Sequence, residues 1–167
     1  MIVVERTLAV RAAPAPALAY LTDFGNTARW DPSVRQATRQ DSGPIGPGSR
    51  WRQVCRILGV TTELTCTLVE AGPERLVFHG RNEGCTCVET VTVRPVGTGS
   101  EVIYRIELEM HGLAKLATPV IKVEFEKLGT AGAAALTDAL NARTAELHLP
   151  VAEPHRTVPP RGQEAQA

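Results

Sequence analysis

The chain has 167 residues, of which 43% are apolar and 22% are charged. Its 18 basic and 18 acidic side chains cancel, so no net charge draws it to nucleic acid or to anionic lipid. No stretch reaches the roughly 20 apolar residues of a membrane span, and residues 1–6 lack the pattern of an export signal. These features predict one cytoplasmic domain, either a small enzyme or a small binding protein.

The first part of the chain predicts a strand followed by two short helices. Residues 2–11 are rich in β-branched side chains, which favours a strand. A short helix is predicted over residues 17–21, with prolines tolerated in its first turn. A second is predicted over residues 26–32, with Asn26 as its N-cap and an end at Asp31, which precedes a proline.

The middle of the chain predicts an antiparallel meander. The three glycines of residues 43–48 lack the spacing of a phosphate-binding loop and indicate a turn. Turn residues then recur at regular intervals between extended segments, which is typical of strands in hairpin order. The predicted strands are residues 34–39, 49–58, 61–70, 75–80, 85–95 and 101–110.

A long amphipathic helix follows. Thr118 and Pro119 are predicted as its cap and first helical residue, and the helix ends near Leu147. Four prolines beyond it predict a folded domain over residues 1–148 and a disordered tail over 149–167. The predicted buried stripe recurs at three- and four-residue steps: Ile121, Phe125, Leu128, Gly132, Leu136 and Leu140.

Alternation along the strands predicts one apolar and one polar face. A loop at Gly59-Val60 would pair Cys55 with Leu64. One long helix cannot lie flat on a strongly curved sheet, so a mostly apolar cavity is expected between the two. The predicted inward residues are Trp51, Gln53, Cys55, Ile57, Leu64, Cys66, Leu68, Leu76, Phe78, Cys85, Cys87, Glu89, Val91, Val93, Val102, Tyr104, Ile106, Leu108 and Met110.

The four cysteines are predicted to be reduced. The chain is long and has no predicted export signal, which disfavours a disulfide scaffold. A zinc site is the alternative, but Cys85 and Cys87 enclose one residue, whereas structural zinc sites use two to four. No histidine has an obvious route to a cysteine, so the thiols are interpreted as small apolar wall residues. The sequence predicts no metal and no cofactor.

The order of elements and several segments resemble the START-like, or SRPBCC, superfamily of helix-grip proteins. The resemblance covers residues 2–147 and is closest to the polyketide cyclase/dehydrase branch. It implies an α+β fold in which a curved antiparallel sheet of about seven strands wraps round the C-terminal helix. The segments that carry it are Val4-Glu5-Arg6-Thr7, Ala12-Ala13-Pro14, residues 23–32, residues 43–50, residues 90–93 and Leu116-Ala117-Thr118-Pro119.

The resemblance implies a cavity for a small hydrophobic ligand that is aromatic, polyketide or lipid-like. It carries no universal catalytic motif, so a ligand carrier and a polyketide cyclase or aromatase both remain open. The residues predicted to contact a ligand are Trp30, Trp51, Gln53, Cys55, Leu64, Cys66, Phe78, Cys87, Ile106, Leu108, Phe125 and Leu128. For the tryptophans, ordinary packing is the alternative interpretation.

Glu89 and Tyr104 are the candidate catalytic residues. A carboxyl group facing an apolar cavity has a raised pKa, which suits acid/base chemistry, and a tyrosine hydroxyl can orient a ligand carbonyl. Alternatively, Glu89 is an exposed strand residue or the partner of Arg6, and Tyr104 is a core residue. If Glu89 contacts ligand without catalysis, the protein is a carrier.

A row of arginines is predicted on the polar face of the sheet. Arg50, Arg52 and Arg56 share that face with Glu63, which is typical of a solvated sheet surface. The alternative is an interaction surface for an acidic acyl carrier protein. A homodimer is a further candidate assembly.

Overall fold

The computed structural model describes the backbone of residues 1–147 and the side chains of residues 1–144. The predicted tail, 149–167, lies outside the described residues, as does residue 148. In chain order the elements are β1 (Ile2–Val10), α1 (Pro14–Thr22), α2 (Thr27–Trp30), β2 (Val34–Arg39), β3 (Arg50–Ile57), β4 (Val60–Ala71), β5 (Arg75–Arg81), β6 (Cys85–Val96), β7 (Gly99–Met110) and α3 (Thr118–Leu147).

The seven strands form one antiparallel sheet in the order β1-β7-β6-β5-β4-β3-β2. Strands β2 to β7 are a continuous meander, because each pairs with the next along the chain. Strand β1 completes the sheet by pairing with β7, from Ile2 opposite Leu108 to Val10 opposite Ser100. With two short helices after β1 and one long C-terminal helix, this arrangement confirms the predicted helix-grip fold.

Local details at the helix starts differ from the prediction. The side chain of Asn26 does not cap α2 but donates a hydrogen bond to the carbonyl oxygen of Tyr20 at 2.8 Å. Asp23 caps instead, accepting from the backbone N–H of Gly25 at 2.9 Å in a 3₁₀ turn before α2. Thr118 is itself the first residue of α3, because a 3₁₀ turn over residues 112–117 leads directly into the helix.

The β3–β4 hairpin turns one residue earlier than predicted. Leu58 and Gly59 form the two-residue loop and both have positive φ, +51° and +82°, the geometry of a tight hairpin turn. Cys55 therefore pairs with Thr62, and the predicted pairing with Leu64 is wrong. The two registers differ by two residues, so every side chain keeps its predicted face.

A packed aromatic core fills one end of the sheet–helix sandwich. The ring of Phe24 lies 5.9 Å from that of Trp51 and 4.6 Å from that of Phe78. Leu136 and Leu140, on the C-terminal half of α3, are also completely buried. Val77, which is not among the predicted inward residues, is buried as well, although it lies outside this core.

The N-terminal half of α3 packs less closely. Ile121 and Phe125 are only half-buried there, whereas the next turns approach β1. Arg6 of β1 donates hydrogen bonds to the carbonyl and carboxylate oxygens of Glu126, at 3.0 and 2.8 Å. Helix α3 is thus joined to the sheet edge at its middle, while its first turns lie over open space.

Candidate functional site

A cavity of about 840 Å³ lies between the sheet and the N-terminal half of α3. Its walls come from one end of β3, β4, β6 and β7, from the β5–β6 turn and from residues 114–125. Most of the lining is apolar: Cys55, Ile57, Leu58, Val60, Leu64, Cys85, Cys87, Ile106, Leu108, Met110, Ala114, Ala117, Val120, Ile121 and Phe125. This is the concave, apolar space that the sheet curvature predicts.

Exposed apolar side chains mark the mouth of the cavity. Leu58 and Val60 at the β3–β4 hairpin and Val120 of α3 all border the cavity, and all three are exposed to solvent. Asn82 braces this end of the sheet, because its Nδ2 donates to Oγ1 of Thr62 at 2.9 Å and its Oδ1 accepts from two backbone amides of the β5–β6 turn. The mouth is therefore apolar and has a hydrogen-bonded rim on the sheet side.

Glu89 projects from β6 into the cavity wall, where 8% of its surface is exposed. The hydroxyl of Tyr104, on neighbouring β7, donates a hydrogen bond to Oε2 of Glu89. Burial raises the pKa of Glu89 from 4.5 to about 7, against the lowering effect of the Tyr104 hydrogen bond. Arg6 pairs with Glu126 rather than with Glu89. The carboxyl group can therefore exchange a proton near neutral pH.

Asp31 is a second carboxylate in the same cavity wall and was not identified from sequence. It follows α2, and its Oδ1 accepts hydrogen bonds from the backbone N–H and the hydroxyl of Ser33, at 2.8 and 2.7 Å. Burial raises its pKa, and its charge further raises that of Glu89. Because an Asp-Pro pair is typical of a helix end, the sequence pattern assigned Asp31 to that role and gave no sign that it borders the cavity.

A small chamber of about 40 Å³ adjoins the large cavity and shares Asp31, Ile106 and Phe125 with it. Tyr104 borders this chamber rather than the large cavity. The chamber has room for about one water molecule beside Asp31. Two residues predicted to contact ligand, Trp30 and Leu128, lie here.

The remaining predicted contact residues divide into two groups. Three of them, Trp51, Cys66 and Phe78, are buried in the core away from the cavity. Those that border the large cavity are Gln53, Cys55, Leu64, Cys87, Ile106, Leu108 and Phe125. Alternation along a strand identifies which residues face inward, but it does not show which end of the strand borders the cavity.

The four cysteines are free and buried. Burial raises the pKa of the Cys55 thiol to about 12 and raises the pKa values of the other three as well. The Sγ of Cys66 donates a hydrogen bond to Oε1 of Gln53 at 3.3 Å. Thiols that stay protonated are weak nucleophiles, so these side chains serve as wall and core atoms.

Within the described part of the chain, no group of three or more histidine, cysteine or acidic residues has the arrangement of a metal site. None of the helices described combines the length and hydropathy needed to cross a bilayer. On the outer face of the sheet, Arg52 forms an ion pair with Glu63 across the β3–β4 hairpin. One of the three arginines of the predicted row is therefore engaged within the sheet.

Comparison with known proteins places the chain among relatives with this fold. Residues 1–144 match the family described as polyketide cyclase / dehydrase and lipid transport. The chain belongs to this family. No curated protein sequence matches it. The family description spans both an enzyme activity and lipid transport, so membership by itself leaves the choice between catalysis and carriage open.

Several solved structures share the fold at low sequence identity. The aromatase/cyclase Zhui from Streptomyces sp. R1128 superposes with a TM-score of 0.73 at 12% identity, over 85% of this chain and 94% of that one. A START superfamily protein from Mycobacterium smegmatis gives 0.64 at 17% identity, over 87% and 98%. A protein from Thermus thermophilus gives 0.62 at 17% identity, over 83% and 97%. These likenesses establish the START-like fold.

Proposed function

We propose that this protein binds a small hydrophobic molecule, aromatic or polyketide-like, in the cavity between its sheet and the N-terminal half of α3. The observation that carries the proposal is a largely apolar space of about 840 Å³ that opens to solvent beside exposed Val60 and Val120. Ligand pockets measure roughly 300–1,000 Å³ and combine apolar walls with a few polar groups. Glu89, Asp31 and Gln53 are among those polar groups here.

The apolar wall supplies affinity and the polar groups orient the ligand. At about 25 cal/mol per Å² of apolar area, a ligand of two or three fused rings gains several kcal/mol on transfer from water. Gln53, 4% exposed, presents an amide at the cavity surface from β3, and Glu89 presents a carboxyl from β6. The two groups lie on different strands, so they constrain both position and orientation.

Native mass spectrometry of freshly purified protein tests this function. We expect a co-purifying small molecule, and titration with the neutral probe N-phenyl-1-naphthylamine should give saturable fluorescence at one site per chain. As a matched pair, Leu108→Trp should reduce probe affinity at least tenfold, because Leu108 lines the cavity, whereas Val96→Trp, at an exposed position outside it, should not. Absence of saturable probe binding would contradict the proposal.

A second candidate is a cyclase- or aromatase-like enzyme, supported by the Tyr104–Glu89 hydrogen bond and the raised pKa of Glu89. In this scheme the Glu89 carboxylate takes an α-proton from a poly-β-keto chain. The resulting enolate carbon attacks a carbonyl carbon of the same chain, which forms a carbon–carbon bond and an alkoxide. Glu89 returns its proton to that alkoxide, and loss of water follows.

The Glu89→Gln variant distinguishes the binding function from the enzyme function. If the protein is an enzyme, Glu89→Gln should keep affinity for a synthetic poly-β-keto thioester within about threefold while conversion falls by at least 10²-fold. Mass spectrometry of the reaction follows cyclisation and loss of water. If the wild-type protein binds the thioester and releases it unchanged, the carrier function stands alone.

A further inference from the structure

The ionisable side chains that border the cavity favour one charge type of ligand. Three acidic residues, Asp31, Glu83 and Glu89, border it. Among the residues that the structure describes, no lysine, arginine or histidine does. Arg6 borders only the small chamber, and its Nη2 already bonds Glu126 and Thr130.

Of the acids that border the cavity, Glu89 is buried and incompletely partnered. Oε2 of Glu89 accepts from Tyr104, but Oε1 has no hydrogen-bond donor among the described residues, although the side chain is more than nine-tenths buried. Asp31 is half-buried and better partnered, because its Oδ1 accepts two hydrogen bonds from Ser33 and a backbone hydrogen bond from Val34 also lowers its pKa. A buried carboxylate without a cation is unfavourable, so Oε1 of Glu89 favours a donor delivered by the ligand.

We propose that the cavity selects hydrophobic ligands that carry a protonated amine and discriminates against those that carry an anionic group. This inference rests on the proposed binding function and specifies its ligand class. An ammonium group beside Glu89 and Asp31 forms charge-assisted hydrogen bonds, which are stronger than neutral ones. A carboxylate in the same place meets like charges with no cation to offset them.

The groups facing Glu89 give this selectivity a pH dependence. They are Tyr104 on β7, Asp31 after α2, and the thiols of Cys55, Cys66 and Cys87, which stay protonated because burial raises their pKa values. Above its pKa of about 7, Glu89 is charged and favours an ammonium group. Below that pH it becomes neutral, so the preference for the amine should weaken.

Three probes with one aromatic skeleton test the inference: 1-naphthylmethylamine, 1-naphthylmethanol and 1-naphthoate. By isothermal titration calorimetry at pH 8, we expect the amine to bind at least tenfold tighter than the naphthoate, with the alcohol between them. Glu89→Gln and Asp31→Asn should each reduce that ratio at least threefold. Glu109→Gln, an exposed residue of β7 outside the cavity, should leave the ratio unchanged.

The outcomes separate the inference from the function on which it rests. If the three probes bind with similar affinity, or the naphthoate binds best, the selectivity is refuted while hydrophobic binding stands. A preference that persists in both cavity variants also refutes it, because Glu89 and Asp31 are then not its source. If none of the probes binds and N-phenyl-1-naphthylamine does not either, both proposals fall.

Discussion

The ring of Trp30 stands perpendicular to that of Tyr104, with centroids 5.3 Å apart and an interplanar angle of 89°. This edge-to-face contact joins the end of α2 to the middle of β7 and limits how the tyrosine ring can turn. The Tyr104 hydroxyl therefore stays directed at Glu89, and the residue after Trp30 is Asp31. One short helix thus supplies both an aromatic brace and the second acid of the cavity.

Replacing Tyr104 by phenylalanine should raise the pKa of Glu89 further. The variant keeps the ring that packs on Trp30 but removes the hydroxyl whose hydrogen bond lowers that pKa. Carbon-detected NMR titration of ¹³C-labelled glutamate carboxyl groups measures the change directly. An unchanged or lower pKa in Tyr104→Phe would show that the hydrogen bond does not stabilise the carboxylate.

Glu89→Gln should stabilise the protein more at pH 8 than at pH 5. The folded-state pKa of Glu89, about 7, lies above its ordinary value of 4.5, so ionisation of the buried carboxyl group destabilises the folded protein. This loss of folding free energy is small below pH 4.5, grows between pH 4.5 and pH 7, and is constant above pH 7. A shift of that size corresponds to a penalty on the order of 3 kcal/mol. We therefore expect a gain of about 1–3 kcal/mol in the free energy of unfolding at pH 8 and little at pH 5.

Urea unfolding followed by circular dichroism at the two pH values measures this difference. Glu109→Gln is the control, since Glu109 is exposed on the opposite face of the sheet. An equal gain for Glu89→Gln at both pH values would show that the carboxyl group is not destabilised by burial.

Two valines of α3 test where ligand enters. Val120 and Val123 are almost equally exposed, 59% and 58%, but only Val120 borders the cavity. A tryptophan at position 120 should narrow the mouth and slow association of N-phenyl-1-naphthylamine at least fivefold, as measured by stopped-flow fluorescence. Val123→Trp should associate at the wild-type rate. Equal rates for all three proteins would place the entrance elsewhere.

Two glycines of α3 should respond oppositely to alanine. A Cβ on Gly129 would lie 2.6 Å from Cγ1 of Val4, a stiff β-branched side chain, so Gly129→Ala must push the helix from β1. A Cβ on Gly132 meets no atom closer than 3.6 Å, so Gly132→Ala should gain up to about 1 kcal/mol from helix propensity. Thermal unfolding should show a lower Tm for the first and an equal or higher Tm for the second.

Much of the fold could be predicted because strand alternation survives small errors. The hairpin register was wrong by two residues, yet Gln53, Cys55 and Leu64 still face inward, since side-chain direction repeats every second residue. The buried position of Glu89 followed from the same alternation along β6. Periodicity likewise located the stripe of α3 that ends at Leu140.

The site itself was predictable only in part, because a cavity forms where the inner face of the sheet and helix α3 lie far apart. Alternation along a strand does not reveal that separation. Trp51 and Phe78 have the same parity as cavity residues but lie at the filled end of the sheet. Asp31 reaches the cavity through the path of the chain after α2, which no local pattern encodes. Tyr104 is placed beside the small chamber by Trp30, a contact between residues 74 positions apart in the chain.

The packed end of the sheet–helix sandwich stabilises the fold, and the hollow end forms the cavity. Phe24, Trp51 and Phe78 supply close packing at one end, whereas Leu64, Leu108 and their neighbours line open space at the other. Distant sites contribute almost additively to stability, so an exchange at the hollow end leaves the packing around Phe24 in place. Ligand preference can therefore diverge among descendants of this chain, or in an engineered library, without weakening the packed end that stabilises the fold.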